Sequence, residues 1–114
     1  LIHRLNKTCS PPWLLEAGLR PETVSRVAVC GGSCSEFAET ARQKDADVFI
    51  TAEVKHSIAR WAEDAGFWII DGGHFATENL VIPVLQQRLE KELQAEGLKI
   101  KIHIAPQDPP LRMI

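Results

Sequence analysis

The stretch Asp71-Gly72-Gly73-His74-Phe75-Ala76-Thr77-Glu78 follows the apolar run Phe67-Trp68-Ile69-Ile70 and precedes a helical pattern running from Leu80 to about Glu96. It reads as a strand, a tight glycine turn and a helix start. A helix beginning near His74 puts His74 and Glu78, four residues apart, on one face. An imidazole and a carboxylate held at the mouth of such a turn can supply two ligands to a metal. They can equally form a base–acid pair. The plainer alternative is capping, with Thr77 and Glu78 in a first turn that holds unpaired N–H groups. Spacing alone leaves both readings open.

Outward from this turn, strands and helices alternate. Arg26 to Cys30 is a short β-branched run ended by Gly31-Gly32. Ser33 or Ser35 can cap a helix over Glu36 to Lys44, with Phe37 and Ala41 on its buried face. Asp47 to Thr51 is a second strand. Val54 to Ala65 is a helix with Ile58, Trp61, Ala62 and Ala65 on one side, closed by Gly66. Phe67 to Ile70 is the third strand. The pattern from His74 to Glu96 places Val81, Leu85, Leu89 and Leu93 on a buried face, and Pro83 predicts a kink or a later start. Leu98 to Ile104 alternates strictly, with Lys99, Lys101 and His103 on the polar side, and predicts a strand at a sheet edge.

Towards the N-terminus, Leu1 to Lys7 is a short helical pattern stopped by Pro11-Pro12. Trp13 to Leu19 reads as loop or one helical turn, with Trp13 and Leu14 as core anchors. Pro106 to Ile114 is a loop with an extended piece at Leu111 to Ile114. Alternating elements predict βαβ units, a mostly parallel sheet and helices on its faces. The fold class is α/β, with residues 1–114 as a single domain.

Composition narrows the function. With 114 residues and 45% hydrophobic content the chain can bury a core. A net charge of −2 leaves no basic footprint for nucleic acid. No apolar run approaches membrane-spanning length, and no signal-peptide pattern is read. Cys9, Cys30 and Cys34 are odd in number and sparse, which fits a reducing cytoplasm. Cys30 and Cys34 read as small, partly buried residues. The chain opens on Leu1 rather than Met, as a piece of something longer would.

Parallel sheets bind ligands outside the carboxyl ends of their strands. Three strand ends here carry polar or glycine-rich residues: Gly31-Gly32-Ser33, then Thr51-Ala52-Glu53 with His56 beyond it, then Asp71 to His74. Parallel strands place all three on one edge, so Ser33, Glu53, His56, Asp71, His74 and Glu78 can converge. Each also has a plainer reading. The Gly31–Ser35 loop could hold an anion on its backbone N–H groups, or be a tight turn. Glu53 could cap a helix, His56 could be a surface residue, and Asp71 could form an Asx-turn.

Taken in order, VAVCGGSC (27–34), ADVFITAEVKH (46–56), DGGHFATE (71–78) and DPPLRMI (108–114) resemble the second half of the GTP cyclohydrolase type-two-like family. That family is also described as homologues of a yeast interacting factor with a dinuclear metal centre. The resemblance spans about Arg26 to Ile114. It implies an α/β fold whose two halves enclose two divalent ions, zinc, manganese, iron or nickel. It implies that His74 and Glu78 are metal ligands, with the remaining ligands in the first half. This chain has no adjacent His pair of the kind the family's first half provides. Ala52 and Cys34 stand where the family pattern has glycine.

The resemblance implies a metal-dependent hydrolase acting on a small molecule, a nucleotide or similar ring compound. Glu53 and His56 would be proton-transfer or supporting groups, and Gly31, Gly32, Ser33 and Asp71 would bind substrate or an anion. The expected partners are the N-terminal half and further copies, a hexameric ring in the family. This chain alone is expected to bind metal weakly or not at all. The alternative is a non-catalytic metal- or anion-binding assembly or regulatory module.

Overall fold

The computed structural model describes all residues from Leu1 to Ile114. In chain order the elements are α1 (Ile2–Cys9), β1 (Leu15–Ala17), β2 (Val27–Ser33), a 3₁₀ turn (Ser35–Phe37), α2 (Ala38–Gln43), β3 (Val48–Ala52), α3 (His56–Ala65), β4 (Trp68–Asp71), α4 (His74–Glu78) and α5 (Val81–Ala95). The four strands form one sheet in the order β1-β4-β3-β2. β2, β3 and β4 are parallel, and β1 joins β4 antiparallel. The α/β class and mostly parallel sheet are as the sequence predicts.

The central strands are apolar because both faces are covered. Every residue of β3 and β4 is buried. On one face, Phe49, Phe67 and Ile69 pack with Ala38 and Ala41 of α2 and Ala62 of α3. On the other, Val48, Ile50, Trp68 and Ile70 pack under Leu5 of α1. Gly66 caps α3 in the left-handed conformation, as expected.

Four expectations are corrected. Trp13 to Leu19 contains an edge strand rather than a helical turn. β1, Leu15-Glu16-Ala17, is too short for its alternation to reveal it. Side chains fasten it instead: Trp68 Nε1 donates to Glu16 Oε2 at 2.9 Å, and Arg20 pairs with Glu16 at 2.6 Å while lying over the Trp68 ring. Glu16 therefore sits below its ordinary carboxyl range, through Arg20 first and Trp68 second. Gly18 ends the strand at φ +77°, where a Cβ would stand 1.9 Å from the Phe67 carbonyl oxygen.

Second, Leu98 to Ile104 is not a strand and pairs with no sheet edge. It lies as an irregular, mostly exposed segment, held to α5 by Gln86 Nε2 donating to the Ile102 carbonyl at 3.1 Å. Lys99, Lys101 and His103 are exposed. Third, Val81, Leu85 and Leu89 are exposed and Leu93 is half-buried, so α5 buries no residue. The periodicity is present, but no other helix or strand of these 114 residues lies extensively against it. Phe37, expected inside, is also exposed. The radius of gyration is 17.0 Å, against about 13 Å for a compact chain of this length. The excess follows from this C-terminal arm projecting from the α/β body. Near Pro83 the helical pattern divides, as predicted: α4 stops at Glu78 and α5 begins at Val81.

Candidate metal half-site

His74 opens α4 at the carboxyl end of β4, and Glu78 follows one turn later. Their side chains meet, with Nε2 of His74 2.9 Å from Glu78 Oε2. Nδ1 of the same ring is 2.8 Å from Glu53 Oε1. Glu53 lies just past the end of β3 with φ +53°. A non-glycine residue in that region carries strain of about 1–2 kcal/mol. Here the turn brings the carboxylate across to His74.

Carboxylates accept hydrogen bonds, so a ring flanked by two of them is favoured as the imidazolium, donating from both nitrogens. His74 is accordingly raised above the ordinary histidine value, chiefly by its hydrogen bond to Glu53, with the Glu78 charge adding. Glu53 is lowered by the same hydrogen bond and then by one from the Ser33 hydroxyl. These side chains are about half exposed. At such exposure ion pairs contribute little, so the cluster is held in place mainly by the backbone beneath it.

That backbone is a seat for α4. Gly31 and Gly32 of β2 press against the short helix: a Cβ on Gly31 would meet the Thr77 carbonyl at 2.7 Å, and one on Gly32 would meet Glu78 Oε1 at 2.0 Å. The Gly32 N–H donates to Thr77 Oγ1 at 3.0 Å, and Thr77 Oγ1 donates in turn to the Gly73 carbonyl at 2.9 Å. Thr51 Oγ1 donates to the Gly32 carbonyl at 3.2 Å. Buried Asp71 accepts from the N–H of Val54 at 2.8 Å and of Gly73 at 3.0 Å. It ties the end of β4 to the loop after β3.

Of the six residues expected to converge, Ser33, Glu53, His74 and Glu78 form the cluster. Asp71 lies beneath it and binds backbone, as in an Asx-turn. His56 opens α3, exposed, and no hydrogen bond or ion pair joins it to the cluster. The Gly32 N–H is engaged by Thr77 rather than open to an anion. Sequence reasoning missed Thr77 as the link between β2 and α4, having read it as a cap. Its signal was its position opposite a Gly-Gly pair at a neighbouring strand end. The two departures from glycine fit the backbone: Cys34 adopts φ −122°, and Ala52 is not among the residues with positive φ.

A groove of about 690 Å³ runs past the cluster. Glu53, His74 and Glu78 line one side, and Trp13, Leu80 and Leu111 are among its apolar walls. The tail, for which the sequence indicates a loop with an extended piece at Leu111 to Ile114, thus returns to the site.

One imidazole nitrogen and one carboxylate oxygen, adjacent on one helix face, suit zinc or a similar cation. Glu53 holds the other ring nitrogen, the arrangement that orients a metal-binding histidine. Because Glu53 and Glu78 bracket opposite ring nitrogens, they do not converge on one point, and no group of three or more His, Cys, Asp or Glu residues is arranged to hold a metal. The residues fit as two ligands of a larger set.

Residues 1–110 match the family described as Duf34/NIF3 (NGG1p interacting factor 3). A curated relative from Escherichia coli, named GTP cyclohydrolase 1 type 2 homolog, is 36% identical over 92 residues, 81% of this chain and 36% of that protein. One of the same name from Treponema pallidum is 29% identical over 103 residues, 90% of this chain and 35% of that protein. The crystal structure of a Staphylococcus aureus hypothetical protein superposes with a TM-score of 0.87 at 26% identity, covering 96% of this chain and 36% of that one. A Bacillus cereus protein related to NIF3 gives 0.86 at 25% identity, covering 96% and 30%. The chain therefore spans about a third of the length of the relatives it matches. It belongs to the Duf34/NIF3 (NGG1p interacting factor 3) family.

Proposed function

We propose that this chain contributes one half of a metal-dependent hydrolase site, with His74 and Glu78 as its ligands to a dinuclear divalent centre. The observation that carries the reading is the His74 ring held between Glu78 on Nε2 and Glu53 on Nδ1. Glu53 fixes the orientation of the ring and, by accepting from Nδ1, keeps the Nε2 lone pair available once that nitrogen loses its proton. Such a centre, when bound, would activate water and polarise the bond to be cleaved. The groove suits a small ring compound, with apolar walls for the ring and the carboxylate–imidazole cluster at one side. A nucleotide is one such compound, in keeping with the GTP cyclohydrolase 1 type 2 homolog name of the relatives.

The remaining ligands would come from polypeptide outside these residues, as the relatives' greater length allows. The uncovered face of α5 and the alternating Leu98–Ile104 segment would pack against that polypeptide, in a cytoplasmic homo-oligomer. No helix is long and apolar enough to cross a membrane.

Zinc added to the chain should shift the His74 Nε2 resonance and leave Nδ1 with its proton. A zinc-induced shift at Nδ1 instead would overturn the assignment. In a longer protein containing this chain, substrate turnover that persisted after removal of all metal would sink the hydrolase reading.

A non-catalytic module is favoured by one observation. The Gly31–Gly32 backbone is closed by Thr77 rather than open to substrate. Hydrolysis abolished by His74→Ala would rule that module out.

A further inference from the structure

Cys30 and Cys34 are brought together by a fault in the sheet. β2 pairs regularly with β3 up to Val29↔Ile50, and pairing resumes at Ser33↔Ala52. Four residues of β2 therefore span two of β3, and the extra pair bulges out as Cys30-Gly31-Gly32. Gly32 turns the chain at φ +73°, and the Cys34 N–H folds back to the Gly32 carbonyl at 2.9 Å. The Cys34 side chain then points back along the strand. Its Sγ lies 3.4 Å from the carbonyl oxygen of Gly31, the residue next to Cys30. Both cysteines are partly exposed. Cys9, the last residue of α1, packs on the opposite face of the sheet and cannot reach either.

We propose that Cys30 and Cys34 are an oxidisable pair that closes to an intrachain disulfide under peroxide and reopens with thiol reductants. Cys30 is the attacking sulfur. The neighbouring Cys30 thiol first, and burial second, push Cys34 up to about 11, so it is held as the thiol. The Cys30 thiolate attacks one peroxide oxygen, the O–O bond breaks, and the second oxygen leaves as water after protonation. Cys30 is thereby oxidised to the sulfenic acid. The Cys34 sulfur then forms the S–S bond as its proton departs with the sulfenic hydroxyl, as a second water. Two reducing thiols return the pair to dithiol through a mixed disulfide. Closure tightens the bulge that holds Gly32 against Glu78.

Both cysteines lie between Arg26 and Arg42, in one tryptic peptide, 27–42. The test is peroxide treatment of the 114-residue chain, alkylation, digestion and mass analysis. The expected result is that peptide 27–42 falls from two alkyl groups to none and loses two hydrogens, and that a thiol reductant restores both sites. Cys9→Ser should behave identically. In Cys34→Ser the disulfide should be lost and Cys30 should instead carry oxygen. A peptide that keeps both alkylation sites after oxidation overturns the proposal. So does one cross-linked to Cys9 or to a second chain. The wild-type result decides the matter even if Cys34→Ser fails to fold.

Discussion

The α/β body and the C-terminal arm are similar in sequence pattern and opposite in outcome. β3 and β4 are buried from end to end, whereas α5, with its apolar stripe, buries nothing. Hydrophobic periodicity identifies a face that seeks cover. Whether cover exists depends on which other elements the chain supplies. The body supplies α1 on one side and α2 with α3 on the other.

The sharpest way to break this comparison is to truncate one apolar side chain in each region. Ile69 is fully buried between β1 and β3, and Leu85 is 47% exposed. Ile69→Ala should lower unfolding free energy by about 2–5 kcal/mol. Leu85→Ala should stay within about 0.5 kcal/mol. Urea unfolding of both variants checks this, and equal losses would place α5 in the cooperative core.

Gly18→Ala should be almost as severe. The new methyl would meet the Phe67 carbonyl at a residue whose φ is +77°. The left-handed penalty and overpacking together give about 2–4 kcal/mol, measured by the same unfolding. A neutral result would mean that β1 detaches freely. Glu16→Ala removes the acceptor for Trp68 Nε1 and the partner of Arg20. It should cost about 1–2 kcal/mol, since exposed Arg20 can turn to water while the N–H of buried Trp68 loses its acceptor.

The smallest effect is one of pH. Asp47, just before β3, accepts from the backbone N–H of Arg26 and Ser25, each at 2.7 Å, and these two bonds lower its carboxyl below the ordinary value. A lowered folded value contributes stability above the ordinary carboxyl range, and that contribution is lost as pH falls through the folded value. Asp47→Asn should therefore destabilise the chain at neutral pH and converge on the wild type in acid. A gap that widened in acid would reverse the assignment.

How far the sequence was legible follows from the same contrast. β2, β3 and β4 were visible because β-branched runs ended at glycine or polar turns. The His74–Glu78 pair was visible because helical spacing fixes it once the turn at Gly72-Gly73 is placed. β1 was not, because three residues are too few for alternation to show, and they are fastened by Glu16 to Trp68, a contact distant in sequence. The Leu98–Ile104 alternation was read correctly as a pattern and wrongly as a paired strand, because a strand needs a neighbour that periodicity cannot name. Convergence of Ser33 and Glu53 on His74 followed from parallel strands. The engagement of Gly32 by Thr77 did not, since it depends on how closely α4 settles on β2.

Calorimetric titration of the 114-residue chain with zinc tests the half-site most directly. With two protein ligands, against the three typical of catalytic zinc, the account predicts affinity far weaker than nanomolar. That weak heat should vanish in both His74→Ala and Glu78→Gln. Nanomolar binding abolished by Glu78→Gln would show a site complete within this chain, and would contradict the half-site.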